Sequence, residues 1–140
     1  MGYRVFISHG WGDLWVAQQI ERRIREAKAA TFIDSFDIAK GDDFEDRIFG
    51  EMDRIDELVV LLTPWSVDRN WVWVEVGAAR AKGRRIVPVL YGLSLDEIDR
   101  VKGGTTFLRA KNVVDINDLD KYLAELRRRV ARSRAKRARK

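Results

Sequence analysis

The run Leu-Val-Val-Leu-Leu-Thr at residues 58–63 has no charge and only one polar side chain, at its end. As a strand it has no face to give to water, so it needs cover on both sides. Two-sided cover is what parallel sheets have, because their crossover helices lie on both faces. The rest of the chain supplies such units. Residues 3–8 and 30–34 read as short strands, 85–91 as a fourth and 112–116 as a fifth. Between them Ala17, Ile20, Ile24 and Ala27 recur at spacings of three and four, as an amphipathic helix over about 14–28 requires. Phe44, Ile48, Met52 and Ile55 mark a second helix, 95–101 a short one, and Leu119, Leu123, Leu126 and Val130 a last. Pro88 argues for an edge position or an interrupted ladder in the fourth strand. Strand and helix alternate five times, the pattern of an α/β parallel sheet joined by right-handed crossovers. Ligands in such folds gather beyond the carboxyl ends of the strands, where the chain places residues 8–13, 34–41 and 63–71.

At 140 residues the chain forms one domain. With no cysteine and one histidine, it offers no disulfide framework, thiol nucleophile, Cys-based zinc site or multi-His metal site. The basic balance is local: nine Lys/Arg and no acids lie in 127–140, so the preceding 126 residues carry −4 of the chain's +5. The expected organisation is a domain over 1–131 and a basic tail over 132–140. The tail reads as a solvated helix end; binding of nucleic acid through it is the lesser alternative. No membrane span, leader or lipidation pattern is read, which suits a cytoplasmic protein.

The candidate site centres on Glu75. Every other residue from 71 to 79 is apolar or glycine, and a carboxylate there is costly to bury unless compensated. With Asp68 as N-cap the helix would start near Arg69. Trp71 and Glu75, four apart, would share one face. Trp73 and Gly77 would share another, with the glycine allowing close packing. An acid beside a flat ring at the lip of a sheet suits a nucleotide; a structural ion pair is the plain alternative.

Gly10-Trp11-Gly12 after a strand, with Asp34 ending the next, gives two of the three glycines of a dinucleotide fingerprint. Thr63 stands where a phosphoacceptor receiver domain needs an acid, and no P-loop sequence is present. His9 is a candidate ligand contact or an ordinary loop histidine. The acids at 42, 43, 45 and 46 are the dipole complement of a helix start, and no metal site is expected.

The segments FISHGWGD, FIDSFDIAKGDDFEDRI and VVLLTPWSVDRNWVWVEVG resemble a Toll/interleukin-1 receptor (TIR) domain over about residues 3–93. The Trp71–Glu75 pair is the most specific part of the match. Thr63, Arg69 and Val72 depart from the family's usual Ser, Ser and Cys. The resemblance implies a flavodoxin-like five-stranded parallel sheet with helices on both faces, the TIR fold. It further implies either an NAD⁺ glycohydrolase or cyclase of bacterial type, serving defence or cell-death signalling, or a non-catalytic TIR–TIR interaction module. In the first case Glu75 is catalytic. Trp71, Phe36, Ser8, His9, Gly10, Asp34 and Gly41 bind substrate, and NAD⁺ is the substrate with no resident cofactor. Self-association would run through the loop 35–43, where Phe36 and Ile38 are apolar residues in a polar stretch.

A single acid suits this chemistry. Ordinary glycoside hydrolysis uses two carboxylates, one to protonate the leaving oxygen. Nicotinamide leaves NAD⁺ as a neutral amine, so what is needed is stabilisation of an oxocarbenium-like ribose.

Overall fold

A computed structural model describes residues 2–33, 44–102 and 113–139. These form five parallel strands: β1 (Arg4–Ser8), β2 (Ala30–Ile33), β3 (Glu57–Leu62), β4 (Arg85–Leu90) and β5 (Val114–Asp115). The helices are α1 (Leu14–Glu26), α2 (Phe44–Asp53), α3 (Asn70–Ala81), α4 (Leu95–Lys102) and α5 (Leu119–Ala138), with single 3-10 turns at Trp11–Asp13 and Ile116–Asp118. The strand order is β2-β1-β3-β4-β5. The order reverses between β1 and β3, the position at which sheets of this kind place their ligand crevice.

Side chains alternate across each strand, and two cores follow from that. Phe6, Leu58, Val60, Leu62, Ile86 and Leu90 face α2, α3 and α4, meeting Met52, Val72, Val76 and Ile98. Val5, Ile7, Val59, Leu61, Val87 and Val89 face α1 and α5, meeting Ile20, Ile24, Leu123 and Leu126. All six β3 residues are buried, as the apolar run required. Helix α3 ends where Gly83 takes φ +68. There Gly83 N donates to Arg80 O and Arg84 N to Ala79 O, a Schellman closure that satisfies the last carbonyls.

Two local expectations are corrected, and for Pro88 one of two alternatives holds. Helix α3 starts at Asn70 with Arg69 as its N-cap, and no side chain caps it; Asp68 lies one residue too early. Gly77 is exposed and a Cβ there would meet nothing within 4 Å, so it permits no close packing. Strand β4 has neighbours on both sides, so Pro88 is not on an edge strand. Strand β5 pairs only with Val89 and Leu90, so beside Pro88 the ladder on that side is interrupted, as read.

The amino ends of the strands hold a buried ionic cluster. Glu57, fully buried, accepts from Tyr3 Oη and Tyr122 Oη at 2.6 Å each and from Arg129 Nε at 3.0 Å. Sequence reading began this strand at Leu58 and missed the cluster. Burial, then the neighbouring Glu57 charge, raises the pKa of both tyrosines. A raised native pKa stabilises the fold fully below the unfolded value of about 10 and progressively less as pH climbs towards the native value. Urea midpoints are therefore expected to fall above about pH 10, and Tyr3→Phe with Tyr122→Phe should flatten that alkaline limb. An unchanged slope in the double variant would remove the tyrosines as its source.

The last buried side chain of α5 is Val130; beyond it every described residue but Ser133 is exposed. Deleting residues 132–140 is expected to leave the thermal midpoint in dilute solution within about 2 °C, since exposed sites contribute only tenths of a kcal/mol. A large drop would mean the tail packs on the body.

Candidate active site

Because Phe6 faces α3, the residue two further on does so too. Ser8 ends β1 on that side and donates from Oγ to Glu75 Oε1 at 2.7 Å, with both residues fully buried. A hydroxyl-to-carboxylate bond contributes about 1.5–3 kcal/mol, and it fixes the Glu75 side chain beneath the β1–β3 crevice. Trp71 lies one turn earlier on α3, half-buried against the core beside Trp73. Trp73 is anchored by Nε1 donating to Val67 O at 2.7 Å.

Two loops wall the crevice and are locked together. Thr63 Oγ1 donates to Asp13 Oδ2 at 2.7 Å and accepts from the backbone N–H groups of Trp65 and Ser66. Ser66 Oγ donates to Leu61 O at 2.9 Å and accepts from Thr63 N. A Cβ on Gly10 would stand 3.0 Å from Ser66 Cβ and 3.2 Å from its Cα, so a side chain at position 10 needs the neighbouring loop to give by a few tenths of an ångström. Gly10 therefore has a packing reason to be glycine beside the binding role read for it. Asp13, buried and holding Thr63, was not singled out from the sequence. Its only advance signal is an acid between a Gly-rich turn and a helix start.

His9 follows Ser8. Its Nδ1 lies 2.8 Å from Gly10 O; a carbonyl only accepts, so Nδ1 carries the proton, and in the neutral ring Nε2 is a bare acceptor. That Nε2 is buried without a hydrogen-bond partner among the described residues. Asp34, Phe36 and Gly41, with the rest of the loop 35–43, lie outside the described residues. Among the described residues no three His, Cys, Asp or Glu side chains converge to hold a metal ion, and no helix is long and apolar enough to cross a membrane. A cavity of about 670 Å³ at the amino end of β4, lined by Arg85, Lys121, Glu125 and Arg129 among others, has neither Ser8 nor Glu75 in its walls.

The family model for the TIR domain matches residues 5–130. The chain belongs to the TIR-domain family. No curated protein sequence matches it. The TIR domain of the Toll-related receptor TRR-2 from Hydra magnipapillata is similar in structure, with 20% identity, 97% of this chain and 98% of that one covered, and a TM-score of 0.62. The TIR domains of the activated Roq1 resistosome, which recognises the pathogen effector XopQ, share 14% identity over 94% and 98% of the chains at a TM-score of 0.60. The CMP N-glycosidase BcmB of Clostridium botulinum shares 18% identity over 88% and 97% at 0.52. At such identities the likeness is one of fold. In this TIR domain the Ser8–Glu75 contact joins the carboxyl end of the first strand to the third helix across the switch point.

Proposed function

We propose that this TIR domain cleaves NAD⁺ at the nicotinamide–ribose bond, with Glu75 as its catalytic carboxylate. The observation that carries the reading is Glu75 itself: a fully buried acid held by Ser8 at the carboxyl end of the sheet. A nucleotide N-glycosidase built on a similar fold is in keeping with it. The C1′–N bond breaks with its electron pair going to the nicotinamide nitrogen, so no acid is needed for the leaving group. Positive charge develops on the ribose, and a carboxylate in a water-poor pocket stabilises it. Ser8 occupies Oε1 and sets the orientation. His9 Nε2 is placed to accept from a substrate hydroxyl, and Trp71 offers the exposed part of its ring to a base. Water capture gives ADP-ribose; attack by the adenine or by a ribose hydroxyl gives a cyclic product. Since Glu75 is fully buried, substrate reaches it only after side chains packed on it shift. Defence or cell-death signalling is the setting that such an activity suits.

Incubating purified protein with NAD⁺ and separating the products tests this. Nicotinamide should appear together with ADP-ribose or its cyclic isomer. Specific activity is expected to rise with protein concentration, and Phe36→Ala, in the loop read as the association element, should weaken the rise. Absence of nicotinamide at every concentration would leave the domain as an interaction module.

A further inference from the structure

Cations on the body of the domain meet acids. Arg23, Arg25, Arg54, Lys82 and Lys121 each form an ion pair, and Arg129 is fastened to Glu57. Past Val130 the matching stops. Arg132, Arg134, Lys136 and Arg139 are exposed and meet no acid among the described residues. Arg137 turns to Ser133, with Nη2 donating to its Oγ at 3.2 Å. The stretch is helix all the same, since α5 runs on to Ala138. Arg132 and Lys136 are four apart, and Arg134 and Arg137, like Lys136 and Arg139, are three apart. Such like-charge pairs work against a helix. The helix dipole favours cations in the last turn only, and here they reach back over two. Interleaved acids would relieve the strain, yet residues 127–140 hold none. The result is a surface complementary to a polyanion.

Spacing and side-chain type narrow the choice of polyanion. Five cations lie in the eight residues 132–139, along about 12 Å of helix axis, or one per about 2.4 Å. Duplex DNA carries one negative charge per about 1.7 Å, and each of its strands one per about 3.4 Å. The row is therefore denser than one strand can pair and within what two can. Four of the five are arginine, whose planar fork takes phosphate through two hydrogen bonds. The other three residues are alanine and serine, so no bulky apolar side chain thickens the helix. The major groove of B-form DNA, about 12 Å wide, admits a helix, whereas side chains cannot read the deep, narrow one of A-form RNA. The same lack of large apolar side chains argues against a membrane, where a helix lying in the interface inserts Trp, Phe or Leu.

We propose that the carboxyl-terminal end of α5 binds the phosphates of duplex DNA through Arg132, Arg134, Lys136, Arg137 and Arg139. Phosphate contacts of this kind carry no sequence information, so the binding is indifferent to base sequence. Residues 1–126, at −4, are repelled by the same phosphates. Contact is thereby confined to the helix end, which continues past Val130 for about 12 Å. Arg129 ties α5 to Glu57 at the amino end of β3, whereas Ser8 and Glu75 meet at the carboxyl end of β1. A duplex on the helix end therefore stands at the opposite edge of the sheet from that site.

Fluorescence anisotropy of a labelled DNA duplex of mixed sequence, titrated with the full chain, tests this. Affinity should fall about 500-fold between about 50 and 200 mM salt, the log–log slope of about −4.5 that five phosphate contacts give. A second duplex of unrelated sequence should bind equally well. The chain cut after residue 131 should lose at least about 100-fold in affinity at about 50 mM salt. A full-length variant with Arg132→Gln, Arg134→Gln, Lys136→Gln, Arg137→Gln and Arg139→Gln should lose as much, since glutamine keeps the helix but not the charge. Circular dichroism verifies folding, and the glutamine variant decides alone if the shortened chain misfolds. No saturable binding by the full chain at about 50 mM salt, wild-type affinity in the folded variants, or a slope shallower than about −2 overturns the proposal. Tighter binding to single-stranded RNA or to phosphatidylserine vesicles than to the duplex at equal salt overturns it too.

Discussion

Glu75→Gln is expected to lower nicotinamide release by about two to three orders of magnitude, the usual effect of removing one group that stabilises transition-state charge. The comparison is clean because the change is small. The amide has the size of the carboxylate and keeps an oxygen to accept from Ser8 Oγ, the contact now made at 2.7 Å. Only the negative charge is lost, and with it the stabilisation of a ribosyl cation in a site closed to water, where such interactions are stronger than in solvent. Fold and self-association should survive, as thermal melts and sedimentation would report. Rates measured at saturating NAD⁺ separate this from a binding defect. A folded Glu75→Gln protein with wild-type turnover removes Glu75 from the mechanism. One that fails to fold assigns the carboxylate a structural role. Trp71→Ala is the less direct test, since that ring also packs on the core and its loss costs stability.

Much of this arrangement was legible in the residues, and the parts that were not have physical reasons. The run at 58–63 needs no context: its composition alone demands two-sided burial, and β3 is buried throughout. The phase of α3 is another matter. All seven residues from 71 to 79 other than Glu75 and Gly77 are apolar, so periodicity does not say which side meets the sheet, and Gly77 falls on the exposed one. That Ser8 meets Glu75 depends on strand phase and a crossover, 67 residues apart, which no local pattern encodes. Trp11 and Trp15 stand outside the Ala17, Ile20 and Ile24 stripe, and both are exposed in the fold. Glu57 was missed because an acid ahead of an apolar run looks like a strand boundary. Its partners lie 54 to 72 residues away, in parts of the chain that sequence alone does not bring together.

Arg129→Met is expected to destabilise the domain by about 3–5 kcal/mol, the cost of leaving a buried charge without its partner. Glu57 is fully buried and Arg129 nearly so, at 13% side-chain exposure, and Arg129 supplies both Nε and Nη2 to the carboxylate. Two tyrosine hydroxyls remain in the variant, but they solvate the charge without neutralising it. Against a total stability of about 5–15 kcal/mol this is a large share, and for a chain of this size it lowers the midpoint by roughly 10–15 °C. Glu57→Leu should also destabilise, because it strands the Tyr3 and Tyr122 hydroxyls and a buried guanidinium. The double variant removes both charges, so it should be more stable than the sum of the single losses predicts. Urea unfolding of the four proteins gives that coupling directly. Additive losses would mean that each residue acts through packing alone. The same cycle defines where the domain ends. Arg129 belongs to the run of cations from 127 onwards, yet it is fastened to the core, so a chain cut after residue 126 should lose this stability while one cut after 131 keeps it.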